Sequence, residues 1–138
     1  MRSDQSIKEI ALAAIRRHSI GMDTWIRTHI SNIAFPPKIE RLKTEIPVTF
    51  FWIVKDNWTI VTTQRVLGEI DSKHREMRFD VLGEYVFGAY KRNDLEKTIF
   101  RLNDWYGEQC DFLMETGNPS MAIIYSIKTI DELYRASS

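Results

Sequence analysis

Apolar residues near the N-terminus recur every three or four positions, which is the spacing of one helical face. This pattern predicts a helix over about residues 6–19, with a stop at Gly21. Ser6 and Glu9 have the spacing of a capping box, in which each side chain bonds a free backbone N–H of the first turn. The apolar positions of this face are Ile7, Ile10, Ala11, Ala14 and Ile15.

The next stretch combines helix and strand signals. Asp23 can cap a second helix, and the apolar residues that follow it up to residue 33 have helical spacing, although Thr, Ile and Trp also suit strands. The prolines at 36 and 37 end this helix, because proline lacks a backbone donor and disfavours helical dihedrals in the residue before it. One more helical turn is predicted over residues 38–43.

From Pro47 to Met114 the period changes to two, which is typical of strands. In the first of these strands Phe50 and Trp52 point to one face and Thr49 and Phe51 to the other, so both faces are expected to be covered. Short polar patches, such as residues 55–57 and 63–64, are turns by composition. The predicted strands cover about residues 48–54, 58–62, 65–70, 77–81, 84–87, 98–102 and 110–114, with a polar connection over residues 71–74 and a charged loop over residues 91–94.

The chain ends on a predicted amphipathic helix. Asn118 is suited to the N-cap, and Pro119 to the first helical position, where its missing donor is not needed. Apolar residues then recur at spacings of three and four, so this helix must bury one stripe, most simply against the preceding sheet. The stripe consists of Ile123, Ile124, Ile127, Ile130 and Tyr134.

Composition narrows the class of protein. The chain has 138 residues, 43% of them hydrophobic, which is enough for a single-domain core. Basic and acidic residues number 19 each, whereas a dedicated nucleic-acid binder carries a basic excess. The single cysteine, Cys110, fits a reducing compartment. No signal-peptide core or membrane-length apolar run is present, so we expect a cytoplasmic protein that binds neither membranes nor nucleic acid.

About seven antiparallel strands followed by one amphipathic helix resemble the pleckstrin-homology-like barrel. Residues 58–68 resemble the second-and-third-strand hairpin of bacterial pleckstrin-homology and GRAM-like domains, where a Thr-x-x-Arg pattern is matched here by Thr62 and Arg65. The resemblance implies an α+β domain over residues 47–138: a strongly bent antiparallel sheet or partly open barrel, closed by the C-terminal helix. Residues 1–46 would form a helical N-terminal extension.

The resemblance also limits the expected function. Relatives that bind phosphoinositides use clustered cations in the first strand loop, whereas here Lys55 stands beside Asp56. Bacterial members resemble self-assembly or protein-docking modules, and this implies a protein partner or a homo-oligomer. The alternative is a cystatin-like or nuclear-transport-factor-like roll that binds a small ligand or acts as an enzyme. Its sheet would enclose a cavity lined by Trp52, Trp58 and Phe100.

Chemistry-bearing residues are scattered in the sequence. The histidines at 18, 29 and 74 do not have metal-ligand spacing, so no metal site or cofactor is predicted. Cys110 alternates with apolar residues and reads as a buried side chain rather than a nucleophile. Four carboxylates between residues 71 and 84 could suggest acid–base catalysis. A catalytic pair needs a cleft that separates its two pKa values, and the sequence shows no sign of one, so no catalytic residue is predicted and the protein is expected not to be an enzyme. The four carboxylates are Asp71, Glu76, Asp80 and Glu84.

Two segments are candidates for contact with a partner. Tyr90, Lys91 and Arg92 form an aromatic and basic turn that continues to residue 93. Trp105 and Tyr106 lie in a predicted hairpin loop. Two aromatics there either pack back over the mouth of the barrel, which is the commoner outcome, or stay exposed as contact anchors, since Trp and Tyr dominate the binding energy of many interfaces. The sequence therefore predicts a non-enzymatic protein-interaction module with these five residues as its possible contacts.

Overall fold

The computed structural model describes residues 1–92 and 94–137. It is an α+β fold with an N-terminal helix, two antiparallel sheets and a C-terminal helix. The helices are α1 (Asp4–His18) and α2 (Ser120–Ala136), and a short 3₁₀ turn covers Met22–Thr24. The strands are β1 (Thr28–Ile30), β2 (Pro47–Val54), β3 (Asn57–Thr62), β4 (Arg65–Ile70), β5 (Lys73–Arg78), β6 (Leu82–Val86), β7 (Lys97–Asp104) and β8 (Gln109–Glu115).

The predicted first helix is confirmed as α1, but its cap was assigned to the wrong serine. Ser3 is the N-cap, and its hydroxyl accepts a hydrogen bond from the backbone N–H of Ser6 at 3.1 Å. Ser6 lies inside the first turn and cannot cap it. The helix therefore begins at Asp4 rather than at Ser6. A serine at position 3 caps the N–H three residues later as well as a serine at position 6 would.

The predicted second helix is wrong. Gly21 has a φ of 67°, and after the 3₁₀ turn the chain forms β1, which pairs with β2 in the register Thr28↔Phe51. β-branched Thr28 and Ile30 find a strand partner in β2, and this pairing outweighs the helical spacing. The helical turn predicted over residues 38–43 is also absent from the described structure. Residues 31–46, which we call the strap, are irregular.

The first sheet has the order β1-β2-β3-β4-β5, and its β3–β4 strands coincide with the predicted hairpin. The prediction for residues 71–81 was correct for the turn at residues 71–72 and the strand at residues 77–78, but wrong for residues 73–76 and 79–81. A strand was expected from Met77 to Val81, but β5 covers Lys73–Arg78 and pairs with β4 along its whole length. The charged residues that suggested a connection instead belong to an edge strand, where charges disfavour pairing with further strands.

The second sheet has the order β6-β7-β8, with a register irregularity at Gly83. In the described residues the two sheets do not join into a closed barrel. Strand β8 instead crosses the inner face of the first sheet and meets its strands one after another. The contacts that mark this crossing are Cys110 with Glu76 of β5, Phe112 with Gly68 of β4, Leu113 with Thr59 of β3 and Glu115 with Thr28 of β1.

One main core holds both helices and both sheets together. The predicted stripe of α2 lies in it: Ile123, Ile124, Ile127 and Ile130 are buried, and Tyr134 packs at its border. Ile7, Ala11, Leu12 and Ile15 of α1 belong to the same cluster. Asn118 is not the side-chain cap predicted for α2; its backbone carbonyl instead accepts from Met121 N–H at 3.2 Å.

The outer face of the first sheet carries a second, smaller cluster. Trp58, Ile60 and Leu67 are buried there, and Phe35 and Ile39 of the strap pack over them together with Phe50. This face needs a cover because the three central strands are apolar on both sides. The strap therefore covers this face of the sheet, as a helix or a second sheet does in other layered folds.

Candidate functional site

The strap is fastened to the first sheet by a buried ion pair between Glu45 and Arg65. The Arg65 guanidinium donates to both Glu45 carboxylate oxygens, at 2.8 and 3.1 Å. It also donates to Glu76 at 2.6 Å and to the Glu40 carbonyl at 2.8 Å. Arg65 is only 7% exposed and Glu45 is fully buried, so the bonds between these two side chains form away from water, whereas the Glu76 side chain is 45% exposed. A bidentate arrangement of this kind fixes the orientation of both partners.

Thr62 completes this network and explains the Thr-x-x-Arg pattern. The Thr62 hydroxyl accepts from the backbone N–H groups of Gln64 and Arg65, at 3.1 and 3.0 Å, and so shapes the β3–β4 turn. The same oxygen lies 2.6 Å from the Glu45 carboxylate and can donate to it. Both residues of the pattern are therefore engaged in holding the turn and the strap, and neither is available to bind a ligand.

The same β3–β4 turn anchors both helices. The Asp4 carboxylate at the start of α1 accepts from the Thr63 hydroxyl at 2.5 Å and from the Gln64 amide at 3.3 Å. The Tyr134 hydroxyl of α2 donates to the Thr63 carbonyl at 2.8 Å. Burial, and then the nearby Asp4 carboxylate, raise the pKa of Tyr134 to about 12, because both disfavour the tyrosinate.

Beside the strap, the outer face of the first sheet remains open as an apolar groove of about 440 Å³. We call it the outer groove. Trp52 is 47% exposed there and lies directly opposite Trp58 across the β2–β3 ladder. The prediction that both faces of β2 are covered is therefore wrong at Trp52 and Val54. The groove is lined by Ala34, Phe35, Pro36, Pro37, Lys38, Phe50, Trp52, Lys55 and Trp58.

Two lysines give the outer groove its charge. The Lys38 ammonium bonds the nearly buried Glu69 carboxylate at 2.9 Å, so this pair is neutral as a unit. Lys55 lies in the β2–β3 turn, is exposed, and has no hydrogen bond or ion pair to any described residue. The groove therefore combines aromatic and proline walls with one cation that is free to pair with an incoming carboxylate.

The predicted contacts Trp105 and Tyr106 are exposed at the turn between β7 and β8, by 65% and 83%. We call residues 104–108 the hairpin tip. The Arg135 guanidinium of α2 lies 5.6 Å from the centre of the Trp105 ring, so one side of this ring is already covered. The Asp104 carboxylate accepts from the N–H groups of Tyr106 and Glu108, at 2.8 and 2.9 Å, and holds the turn rigid.

The other predicted contacts lie elsewhere. The Tyr90 carbonyl accepts from Gly117 N–H at 2.7 Å, just before α2, and the Lys91 ammonium lies 5.8 Å from the centre of the Tyr90 ring. Arg92 is exposed and pairs with Asp94, while residue 93 of this turn lies outside the described residues. This turn precedes the start of β7, and the hairpin tip follows its end. The eight residues of β7 separate the two, so the five predicted contacts do not form one surface.

The chain matches no protein-family model, no curated protein and no solved structure.

The remaining candidate residues lie in separate places. His18 stacks on Tyr125 of α2, with the ring centres 3.7 Å apart, while His29 is in β1 and His74 in β5. Among the described residues no three His, Cys, Asp or Glu side chains are grouped to hold a metal ion. Burial raises the pKa of the Cys110 thiol, which disfavours the reactive thiolate. No described helix is long and apolar enough to cross a membrane.

Of the residues suggested for a ligand cavity, Trp52 and Trp58 lie together at the outer groove, but Phe100 lies apart from them. Phe100 belongs to the main core, where its ring stacks on Phe112 at 5.5 Å between centres. Trp58 belongs to the cluster on the outer face of the first sheet, and Trp52 is exposed beside it. The sequence analysis missed the outer groove because it assumed that a strand with apolar residues on both faces is covered on both faces along its whole length. The available signal was an apolar residue, Val54, at the end of this strand, followed directly by the charged turn that begins with Lys55.

Proposed function

We propose that this protein is a non-enzymatic interaction module that binds a protein partner through the outer groove. The observation that carries the proposal is the half-exposed Trp52 in an apolar groove of about 440 Å³. Tryptophan is highly buried on average, and it is among the residues that most often dominate the binding energy of an interface. Phe35, Pro36 and Pro37 give the groove walls that a partner's apolar side chain can fill.

We also propose that the fold is of the pleckstrin-homology type with an added N-terminal helix. The order of elements supports this: a four-stranded antiparallel run from β2 to β5, a three-stranded run from β6 to β8, and one closing helix. The crossing of β8 over the first sheet is the arrangement expected of such a bent, partly open barrel. A protein ligand is favoured over a phosphoinositide because Lys55 is the only cation of residues 55–57.

Site-specific photo-crosslinking tests the proposed function. A photoreactive phenylalanine analogue placed at Val54, beside the groove, is expected to yield discrete adducts in cells. A second substitution, Trp52→Ala, should abolish them because it removes the central anchor of the contact. The matched control places the analogue at Ile99, which is equally exposed but lies on β7. Adducts that form equally at both positions, or that survive Trp52→Ala, contradict the proposal.

A further inference from the structure

We propose that the occupant of the outer groove is the hairpin tip of a second copy of this chain, so that the protein associates head to tail. This inference rests on the proposed function of the groove and specifies its partner. It follows from two surfaces that are chemically complementary and share no residue: a concave apolar groove beside a cation, and a convex aromatic turn flanked by carboxylates.

The hairpin tip has the composition that the outer groove requires. Tyr106 is 83% exposed and projects from the turn beside Trp105. Asp104 and Glu108 flank these rings, and the Glu108 carboxylate has no hydrogen bond or ion pair to any described side chain. The tip is thus an aromatic and acidic segment of this chain that is exposed and also held rigid by the Asp104 bonds.

Charge and rigidity both favour this pairing. Lys55 at the groove is free of partners in the described structure, and Glu108 offers it a free carboxylate. Opposite charges at an interface fix its register and increase the rate of association. Flexible segments lose conformational entropy when they bind. A tip that is already ordered loses little of it on docking.

The expected association is weak and open-ended. Two aromatic side chains bury roughly 300–500 Å², and with the groove walls the interface reaches about 600–1,000 Å², which is below the size of stable specific interfaces and in the range of weak, transient contacts. Because groove and tip are different surfaces, a contact between two copies leaves one groove and one tip of the pair free. Such a heterologous contact generates rings or chains rather than a closed two-fold dimer.

Sedimentation velocity of the purified full chain, from about 10 μM to 1 mM, tests the inference. The wild-type sedimentation coefficient should rise with concentration. Trp52→Ala in the groove and Tyr106→Ala at the tip should each weaken association by about tenfold or more. Their equimolar mixture should form a 1:1 dimer and no larger species, because each variant keeps one intact surface. The control Ile99→Ala, an exposed apolar change on another sheet, should behave as the wild type.

A charge reversal gives an independent readout. Lys55→Glu and Glu108→Lys should each weaken association, and the double variant of both changes should restore it, because the pair is then reversed rather than lost. Circular dichroism of each variant shows whether it remains folded, and both positions are exposed.

Three results would overturn the inference. Oligomers that lose their stability with Trp52→Ala but not with Tyr106→Ala would mean that the groove meets another surface. A double charge variant no better than the single variants would remove the pairing of Lys55 with Glu108. A wild-type chain that stays monomeric throughout would exclude self-association, while adducts at Val54 that contain another protein would still support the proposed function.

Discussion

At the scale of single residues, the ion pair of Glu45 with Arg65 is the most constrained feature of the molecule. Burying two charges is costly, and the attraction between them repays this cost only when all polar atoms find partners. Here the two Glu45 oxygens receive bonds from Arg65, Thr62 and the backbone N–H of Leu42. A fully satisfied buried pair specifies one position for the strap, and this makes it sensitive to loss of either partner.

Removing Arg65 is therefore expected to be severe. Arg65→Ala leaves the Glu45 carboxylate buried without its counter-ion and should lower the free energy of unfolding by about 3–5 kcal/mol. Arg78→Ala is the matched control, since the Arg78 pair with Asp80 is exposed and should contribute less than about 1 kcal/mol. Urea unfolding at neutral pH measures both. Equal losses for the two variants would show that burial of the Arg65 pair has no special weight.

The raised pKa of Tyr134 predicts that the stability of the fold falls at high pH. Its pKa is raised to about 12 in the folded protein, whereas an unfolded chain has the ordinary value of about 10. The stability from its neutral hydroxyl is thus fully present below pH 10 and is lost as the pH rises through about 12. Tyr134→Phe should cost about 1 kcal/mol at neutral pH, the typical value of one hydrogen bond.

The stability difference between wild type and Tyr134→Phe should then shrink above pH 10, when urea unfolding is repeated at increasing pH. Tyr106→Phe provides the control, since Tyr106 is exposed at the hairpin tip. A difference that stays constant to the alkaline limit of folding would contradict the assignment.

At the scale of elements, the strands of the β3–β4 hairpin and both long helices followed from sequence periodicity alone. The errors in the strands share one cause, which is that pairing partners are invisible in a local pattern. Thr28 and Ile30 lie in a stretch with helical spacing, but they form β1 and pair with β2. The charged strand β5 pairs with β4. The ends of helices were displaced because Ser3 and Ser6 are equivalent by composition, and only the observed bond to Ser6 N–H separates them.

At Gly68 there is no room for a side chain between strand β3 of the first sheet and Phe112 of the second. A Cβ atom there would lie 2.7 Å from the Trp58 carbonyl oxygen and 3.1 Å from the Phe112 ring. Gly68→Ala should therefore lower the free energy of unfolding by about 1–3 kcal/mol, as other overpacked cores do. Chemical denaturation measures this change. Shortening the ring by Phe112→Leu should not rescue the variant, because the backbone oxygen remains; a full rescue would show that the ring alone is the obstacle.

At the scale of the whole molecule, the packing of α1 could be anticipated from its apolar face, but its partner could not. Ile7 and Ile15 lie in the same core as α2. The candidate site was harder to predict. Trp105 and Tyr106 were predicted as contact residues from their turn, where they are exposed, whereas the outer groove depends on the strap, whose irregular course no periodicity encodes. Trp52 is exposed because the strap covers only the neighbouring part of the outer face.

A shared core predicts that the chain unfolds as one unit. Ile15→Ala should lower the free energy of unfolding by about 2–5 kcal/mol, the range for a buried large side chain. Because α1 contacts the main core, circular dichroism and tryptophan fluorescence should report one common transition. The exposed Arg16→Ala should change the stability by less than about 0.5 kcal/mol. An early loss of helical signal at constant fluorescence would show that α1 unfolds separately.

The strap also makes the chain divisible. It is irregular and largely exposed between residues 38 and 44, while the elements on either side are held by independent contacts. α1 is buried in the main core, β1 is bonded to β2, and the Glu40 carbonyl is bonded to Arg65. A single cut in the strap would leave all of these contacts in place. Two fragments that meet at this point should therefore recombine without a covalent link, which makes the strap a natural position for a split reporter or a circular permutation.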